Sequence, residues 1–234
     1  MTTEAISHLL DVPVRASLTG EHARFAVRRG RVLRYEPGLA TFAALPDDPD
    51  AQDWHDAALL AGPGQVLYLV GQDLQLPPGW TEVSHAQGVQ LVADHSVVRY
   101  DEQVRVLGFD DAPEILALVE ATKPGPFLPR SLRYAQYFGF RAHGQLVAVA
   151  GLRMRPAGFA EVSTVCTLPE HRGRGLAQRL VKHLCRLVVR QGATPFLHAK
   201  ADQEAVLRLY GALGFEHRTR LSFREIAAPP EISA

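Results

Sequence analysis

The sequence predicts an α/β fold in which helices flank a mixed, mostly antiparallel β-sheet. Between residues 104 and 226, strand-like and helix-like segments follow one another in the order β, α, β, β, β, α, β, α, β. The three consecutive strands predict antiparallel pairing, and the later alternation of helix and strand predicts helices on the faces of the sheet. Helix and strand also alternate before residue 100, which predicts a smaller N-terminal α/β domain.

Length and composition indicate a globular protein. The chain has 234 residues, 47% of them hydrophobic, which is enough for a substantial core in one large or two small domains. No apolar run approaches about 18 residues, so no membrane span is predicted. The first twenty residues include Glu4 and Asp11 and lack a basic region before an apolar stretch. We therefore expect no secretory signal and a soluble, cytoplasmic protein.

Cysteine usage and charge restrict the kind of ligand. Cys166 and Cys185 match no metal-binding spacing, so we predict no metal site and expect two packed thiols. The formal net charge is zero, but residues 1–100 carry a net −5 and residues 101–234 a net +5. The C-terminal half is therefore better suited to an anionic ligand. Its arginines are scattered among apolar positions, which argues against nucleic acid.

The first hundred residues carry no motif that points to chemistry. The pattern predicts a helix at 51–60, ended by a Gly-Pro-Gly sequence, and a short buried strand at 66–70. We place a domain boundary near residue 101. This gives an N-terminal domain at 1–100 and a second domain at 101–234.

The second half is patterned more clearly. Asp110 or Asp111 is available as the N-cap of its first helix, and His143-Gly144 predicts a hairpin turn. One face of the central helix carries a leucine stripe, which predicts a core contact. The predicted elements are a strand at 104–107, a helix at 112–122, strands at 137–141, 146–152 and 160–167, a helix from 176 to about 191, a strand at 195–199, a helix at 203–213 and a strand at 219–225.

The junction before the central helix carries the pattern Arg172-x-x-Gly175-x-Ala177. Gly173 and Gly175 allow the backbone to approach an anion closely, and the N–H groups of a first helical turn have no partner inside the helix. Arg172 and Arg174 add positive charge at the same place. The junction is therefore predicted to hold a pyrophosphate.

Three blocks of this sequence resemble the GNAT superfamily of acyl-CoA-dependent N-acyltransferases. The resemblance covers about residues 104–226, a little over half the chain. It implies a GNAT-like fold, N-acetyltransferase activity and acetyl-CoA as the acyl donor, and it makes a degenerate GNAT-like unit one alternative for the N-terminal domain. The blocks are the strand, Leu-Pro-Glu turn and Arg172-x-x-Gly175-x-Ala177 motif, the strand at 195–199, and Ala205-x-x-x-Leu209-Tyr210-x-x-Leu213-Gly214-Phe215.

The resemblance also implies where the donor binds. In such enzymes the central strand splays from its neighbour, and its exposed backbone groups pair with the pantetheine arm. Where the family often has an asparagine contact, this chain has Gln203, whose longer amide is a further candidate. The implied backbone contacts for pantetheine are Val165, Cys166 and Thr167. Those for pyrophosphate are Gly173, Arg174, Gly175, Leu176 and Ala177, with Arg172 beside them.

Three side chains are candidates for proton transfer. An ammonium must lose a proton before its nitrogen attacks a thioester. Glu161 is the first choice for the base, since strand alternation predicts that it shares a face with Thr167 and some members use a glutamate there. His198 is the rival, because other members place an acid at its position and an imidazole suits base work. Tyr210 stands where the family commonly has its general acid.

The acceptor is less well defined by the sequence. Phe127, Tyr134 and Tyr137 follow the first helix of this half and either line an aromatic acceptor pocket or pack on the core. We expect direct transfer, in a ternary complex, to a primary amine of a small molecule or peptide. The N-terminal domain is a candidate for closing the acceptor pocket, and the sequence does not define the oligomeric state. The alternative function is a CoA-binding sensor or scaffold without catalysis.

Overall fold

The computed structural model describes residues 9–71, 74–93 and 98–232. The elements before residue 100 are α1 (Pro13–Thr19), β1 (Ala26–Arg29), β2 (Val32–Tyr35), β3 (Ala43–Ala44), α2 (Ala51–Ala61), β4 (Val66–Gly71) and β5 (Thr81–Ala93). The later elements are β6 (Arg105–Leu107), α3 (Ala112–Thr122), β7 (Gln136–Ala142), β8 (Gln145–Leu152), β9 (Phe159–Thr167), α4 (Leu176–Arg190), β10 (Thr194–Lys200), α5 (Glu204–Ala212) and β11 (Phe215–Ala227).

The strands form a large sheet and a small one. Eight strands lie side by side in the order β4-β11-β5-β10-β9-β8-β7-β6, and β1, β2 and β3 form a separate three-stranded sheet. In the large sheet β9 and β10 are parallel, whereas the other paired neighbours are antiparallel. The predicted mixed, mostly antiparallel sheet flanked by helices is therefore confirmed.

Local sequence signals set most of the C-terminal elements. Helix α3 has the predicted bounds, and the hairpin turn between β7 and β8 places His143 at φ 49° and Gly144 at φ 86°. The predicted cap is only partly right. Asp111 is the N-cap residue of α3, but its carboxylate accepts a hydrogen bond from the backbone N–H of Gly108 and pairs with Arg141 instead of capping the helix.

Strand β5 is the element that the sequence pattern did not reveal. It has 13 residues and lies between β10 and β11. Its first half is largely exposed, with Val83 55% exposed, so it lacks the alternation of a half-buried strand.

The large sheet continues across residue 101, because β4 and β5 precede this position and pair with later strands. The predicted boundary does not coincide with a break in the sheet.

The segment around residue 101 is fixed to α4. Arg179 binds the carboxylate of Asp101 with two hydrogen bonds, at 2.6 and 3.0 Å, and stacks over the Phe140 ring at 4.5 Å. The backbone N–H of Asp101 also donates to Nδ1 of His183 at 3.2 Å. Arg179 thus joins this segment to the helix.

The two faces of the large sheet are covered by different parts of the chain. Helices α4 and α5 cover one face, where the predicted leucine stripe of α4 packs against Ala160, Val162 and Leu197. Elements from the N-terminal half cover part of the other face and contact Phe159 and Phe196, and α3 covers another part of it, over Val149 and Cys166. Because side chains alternate along a strand, Glu161 and His198 lie on this second face, beneath the N-terminal half.

Candidate active site

Strands β9 and β10 part from each other after a short parallel pairing. Within the described residues this pairing runs only from Thr194 opposite Phe159 to Phe196 opposite Glu161. Beyond it, 162–167 on β9 and 197–200 on β10 diverge, while their outer edges stay paired with β8 and β5. The gap exposes two rows of backbone donors and acceptors, which an extended ligand can pair with as an added strand. We call this gap the cleft and the residues around Glu161 its closed end.

A β-bulge shifts the side-chain alternation by one residue in the part of β9 that borders the cleft. Thr164 has φ 53°, and the register with β8 shifts there, so that Ser163 faces Gly151 but Cys166 faces Val149. Cross-strand partners share a face, so Cys166 lies on the face of Ser163 and Glu161 although an odd number of residues separates them. The prediction that Glu161 and Thr167 share a face is therefore wrong, because the bulge inserts one residue.

The predicted pyrophosphate cradle lies at the open end of the cleft. Gly173 and Gly175 both have φ 73°, and no heavy atom lies within 4 Å of the position that a Cβ would take at either glycine. Gly175 is the N-cap residue of α4, and no described side chain caps this helix. The N–H groups of the first turn are thus available to an anion, which the partial positive charge at the N-terminus of a helix also attracts.

The two arginines of the motif line the same loop. Nε of Arg172 donates to the backbone carbonyl of Thr167 at 3.2 Å, and Nη2 of Arg174 donates to that of Glu170 at 3.3 Å. These bonds join the end of β9 to the start of α4. The structure therefore brings together the two groups of residues that the sequence assigned to pantetheine and to pyrophosphate.

The hydroxyl of Thr167 is an unsatisfied polar group beside this loop. Its Oγ1 is buried without a hydrogen-bond partner, the one such side-chain atom among the described residues. Buried hydroxyls ordinarily have a partner, and leaving one without a bond costs free energy. An orphaned hydroxyl at the end of β9 fits a site that a polar ligand completes.

Glu161 lies at the closed end and is 1% exposed. Its carboxylate accepts two hydrogen bonds from Arg153 at 2.9 Å each, one from Nδ1 of His198 at 2.9 Å and one from the backbone N–H of Met154 at 3.3 Å. Burial opposes the charged form, but the Arg153 charge and the His198 hydrogen bond outweigh it and hold the pKa of Glu161 well below its usual range. The carboxylate is therefore ionised but already fully bound.

His198 connects Glu161 to the N-terminal half. Its side chain is 3% exposed, and its Nε2 lies 3.1 Å from Nε2 of Gln90 on β5. Its ring also meets those of Phe196 and Phe223 edge-on. Both ring nitrogens thus have partners, one a carboxylate and the other an amide.

Tyr210 lies on α5, on the sheet face that α4 covers. It is buried, and its ring packs against Phe215 with the centroids 5.7 Å apart. Burial raises the pKa of Tyr210 to about 12, and the neighbouring thiols Cys166 and Cys185 add to this rise. The phenol therefore keeps its proton at neutral pH, as a proton donor must.

The other predicted positions divide between surface and core. Gln203 is exposed at the N-cap of α5, where its carbonyl accepts from the N–H groups of Val206 and Leu207. Phe127 and Tyr137 are core residues whose rings meet edge-on at 5.2 Å, so they pack on the core rather than line an acceptor pocket. Tyr134 borders a small cavity between the loop after α3 and the segment at 39–42.

Sequence reasoning missed Arg153 and Gln90. Arg153 follows the apolar strand β8, and its guanidinium lies over the Phe42 ring at 4.7 Å while it pairs with Glu161. A charged residue directly after a buried strand was the only local signal for it. Gln90 is 0% exposed within β5, an element that the pattern did not predict.

The described part of the chain lacks two other features that would point to a different function. No helix there is long and apolar enough to cross a membrane. No group of three or more metal-ligating side chains is found among the same residues.

Comparisons with known proteins give matches in sequence and in structure. The family model described as FR47-like protein matches residues 137–223. N-alpha-acetyltransferase RimI of Mycobacterium tuberculosis is 36% identical over 83 residues, which are 34% of this chain and 51% of that protein. The chain thus spans about half the length of that relative. A GCN5-related N-acetyltransferase structure from Kribbella flavida has 19% identity and a TM-score of 0.57, covering 93% of this chain and 95% of its own, a likeness of fold alone.

A solved GNAT-family structure from Novosphingobium aromaticivorans is similar over almost the whole chain. The two are 37% identical, with a TM-score of 0.86, and the match covers 94% of this chain and 99% of the other. The likeness therefore includes the N-terminal half as well as the cleft. With this identity over nearly all of both chains, the protein belongs to the GNAT family of N-acetyltransferases.

Proposed function

We propose that the protein transfers an acetyl group from acetyl-CoA to a primary amine of a small molecule or peptide, directly and in a ternary complex. The observation that carries the proposal is the parting of β9 and β10 beside an uncapped, glycine-spaced helix start. Membership of the GNAT family supports acetyl-CoA as the donor. The name of the Mycobacterium tuberculosis relative, an N-alpha-acetyltransferase, supports an amine as the acceptor.

The donor is proposed to lie along the cleft. The backbone of 165–167 would pair with the pantetheine arm, and the N–H groups of 173–177 would bind the pyrophosphate beside Arg172. Bound acetyl-CoA supplies the activated acetyl thioester. The orphaned Thr167 hydroxyl gives this stretch one more donor, and backbone N–H groups of β9 are candidates for stabilising the oxyanion.

The base is proposed to be the Glu161–His198 pair acting as a unit. Each residue must give up a hydrogen bond to accept a proton. Glu161 would give up a bond to a guanidinium, an imidazole or a backbone N–H, whereas His198 would give up one to a neutral amide. Charge-assisted bonds are the stronger ones, so the contacts favour Nε2 of His198 as the accepting atom, with Glu161 orienting the ring.

The leaving thiolate also needs a proton or a hydrogen bond. Tyr210 is proposed to provide it through its hydroxyl, which burial keeps protonated. As the C–S bond breaks, the attacking nitrogen loses its second proton, which restores the Tyr210 phenol, and the thiol and the acetylated amine then dissociate. No covalent acyl-enzyme is needed, because the acceptor attacks the thioester directly.

A non-catalytic CoA sensor is the second candidate. It is favoured by one observation, namely that the polar atoms of Glu161 and His198 are already engaged with other residues. Thiol release with acetyl-CoA and a panel of amines, run beside calorimetric binding of CoA, distinguishes the two. Turnover on any amine supports the transferase, binding without turnover on every amine supports the sensor, and absence of CoA binding contradicts both.

A further inference from the structure

We propose that Gln90, from the N-terminal half, is a positioning residue that keeps Nε2 of His198 free of hydrogen and thereby ready to accept a proton. The inference rests on the proposed function and assigns that half a part in the chemistry. Gln90 touches neither donor nor acceptor in this scheme. It acts through His198.

The sheet brings the two side chains together. Gln90 on β5 is the direct cross-strand partner of His198 on β10, and such partners lie on the same face. Gln90 is 0% exposed, so its amide has no contact with solvent to compensate for a missing partner.

Two contacts fix which end of the amide faces His198. The Gln90 oxygen accepts a hydrogen bond from Nη1 of Arg218 at 2.9 Å, and the Gln90 nitrogen donates to the backbone carbonyl of Leu10 at 2.8 Å. An arginine can only donate and a carbonyl can only accept, so the amide cannot be turned over without losing both bonds.

The orientation of the amide in turn determines the tautomer of His198. The Gln90 nitrogen, a donor, lies 3.1 Å from Nε2 of the ring, so this nitrogen acts as the acceptor. On the other side, Nδ1 lies 2.9 Å from the Glu161 carboxylate and must carry the hydrogen. The Glu161 contact thus calls for hydrogen on Nδ1 and the Gln90 contact for a lone pair on Nε2, and together they describe a single tautomer.

This arrangement defines a proton transfer from the acceptor ammonium to His198. An N–H bond of the acceptor ammonium breaks, an N–H bond forms at Nε2, and the resulting imidazolium lies beside the ionised Glu161. As the proton arrives, the Gln90 nitrogen gives up its contact with Nε2 and keeps its hydrogen bond to the Leu10 carbonyl. The charged groups around the pair are Glu161 and Arg153 on one side and Arg218 and Asp11, which pair at 2.6 Å, on the other.

The test replaces the donor with an acceptor. Gln90→Glu places a second carboxylate at Nε2, so the ring is expected to hold hydrogen on both nitrogens before any substrate binds. Loss of the free nitrogen predicts a fall in kcat of about 10²-fold, with little change in KM for acetyl-CoA. Gln90→Met removes the N–H without adding an acceptor and predicts a smaller fall, of about tenfold, through loss of orientation alone.

The protonation of the His198 ring distinguishes a positioning role of Gln90 from a purely structural one, because a structural role would leave it unchanged. Long-range ¹H–¹⁵N NMR of histidine-labelled protein, with His198 assigned by comparison with His198→Gln, distinguishes the two tautomers and the imidazolium. We expect hydrogen on Nδ1 alone in the wild type and the imidazolium in Gln90→Glu. Gln87→Glu makes the same change on the same strand, opposite Ser222, and is expected to leave the His198 signals as in the wild type.

Each outcome decides the inference. Hydrogen on Nε2 in the wild type, or an unchanged neutral ring in Gln90→Glu, overturns it even if the enzyme is active. If Gln90→Glu does not fold, wild-type kcat in Gln90→Met overturns it instead. If the ring behaves as expected but no amine is acetylated, the positioning role stands and the proposed function alone fails.

Discussion

The two ends of the cleft use their polar groups in opposite ways. At the open end, the loop at 172–175 is exposed, its helix start has no cap among the described side chains, and the Thr167 hydroxyl has no partner. At the closed end, Glu161 is buried and all of its hydrogen-bonding capacity is used by Arg153, His198 and the chain. The open end is thus left unsatisfied for a ligand, whereas the closed end is satisfied by the protein itself. Changes at the open end should alter binding, and changes at the closed end should alter stability as well.

The largest effect is expected at the closed end. Glu161→Gln leaves the Arg153 guanidinium buried without a counter-charge, which predicts a loss of about 3–5 kcal/mol in the free energy of unfolding. Urea denaturation measures it. The double variant Arg153→Met/Glu161→Gln removes both charges and keeps an acceptor for His198, so most of the loss should be recovered. A single variant as stable as the wild type would show that this pair does not hold the closed end.

The same carboxylate predicts how stability depends on pH. Its pKa is lowered in the folded protein, so the stability that it contributes is present above its ordinary value of 4.5 and is lost as the pH falls below it. Between about pH 6 and about pH 3, the wild type should lose more stability than Arg153→Met/Glu161→Gln. Equal losses in the two proteins would assign acid sensitivity to other carboxylates.

At the open end, Gly175→Asp should weaken CoA binding by about 10²-fold or more, because a carboxylate replaces open space at the anion-binding helix start. Gly192 at the other end of α4 is a matched control, since it also has φ near 74° and open space around it. Gly192→Asp imposes the same backbone strain and should keep its CoA affinity in calorimetry. A Gly175→Asp protein that binds CoA normally would refute the cradle.

Tyr210→Phe tests a group that is buried, like Glu161, but is proposed to act on the ligand. It should lower kcat by about 10²-fold at unchanged stability, because the ring packing is kept and only the proton donor is lost. Since its pKa is about 12, Tyr210 should cause no loss of activity below about pH 11. The exposed Tyr100 provides the control Tyr100→Phe, and steady-state kinetics on both variants is the measurement. Equal rates for the two would leave Tyr210 as a packing residue.

The smallest effect is expected for Thr167→Val. The hydroxyl makes no hydrogen bond within the protein, so removing it should not lower the stability and should raise it slightly. If a ligand completes this site, CoA affinity should fall about fivefold, the worth of one hydrogen bond. Thermal unfolding and calorimetry give the two values, and a loss of stability with unchanged affinity would reverse the assignment.

The same contrast explains what the sequence could predict. The cradle lies within six consecutive positions, so glycine spacing and charge were enough to indicate it. The closed end joins residues 8, 37 and 108 positions apart, through Arg153–Glu161, Glu161–His198 and Gln90–His198. Only the pairing of β5 with β10 brings Gln90 and His198 together. The bulge at Thr164 was equally hidden, because a threonine with positive φ carries no local signal of the kind a glycine would give.

The position of β5 has a consequence for how the chain can assemble. Strand β11 pairs with β5 along its whole length, from Phe215 opposite Ala93 to Ala227 opposite Thr81, so the last strand cannot dock before residues 81–93 are in place. A fragment starting near residue 101 would expose the free edges of β10 and β11 and is expected to aggregate. Two fragments divided there and produced together should instead recombine into an active protein, since each supplies the strand that the other lacks.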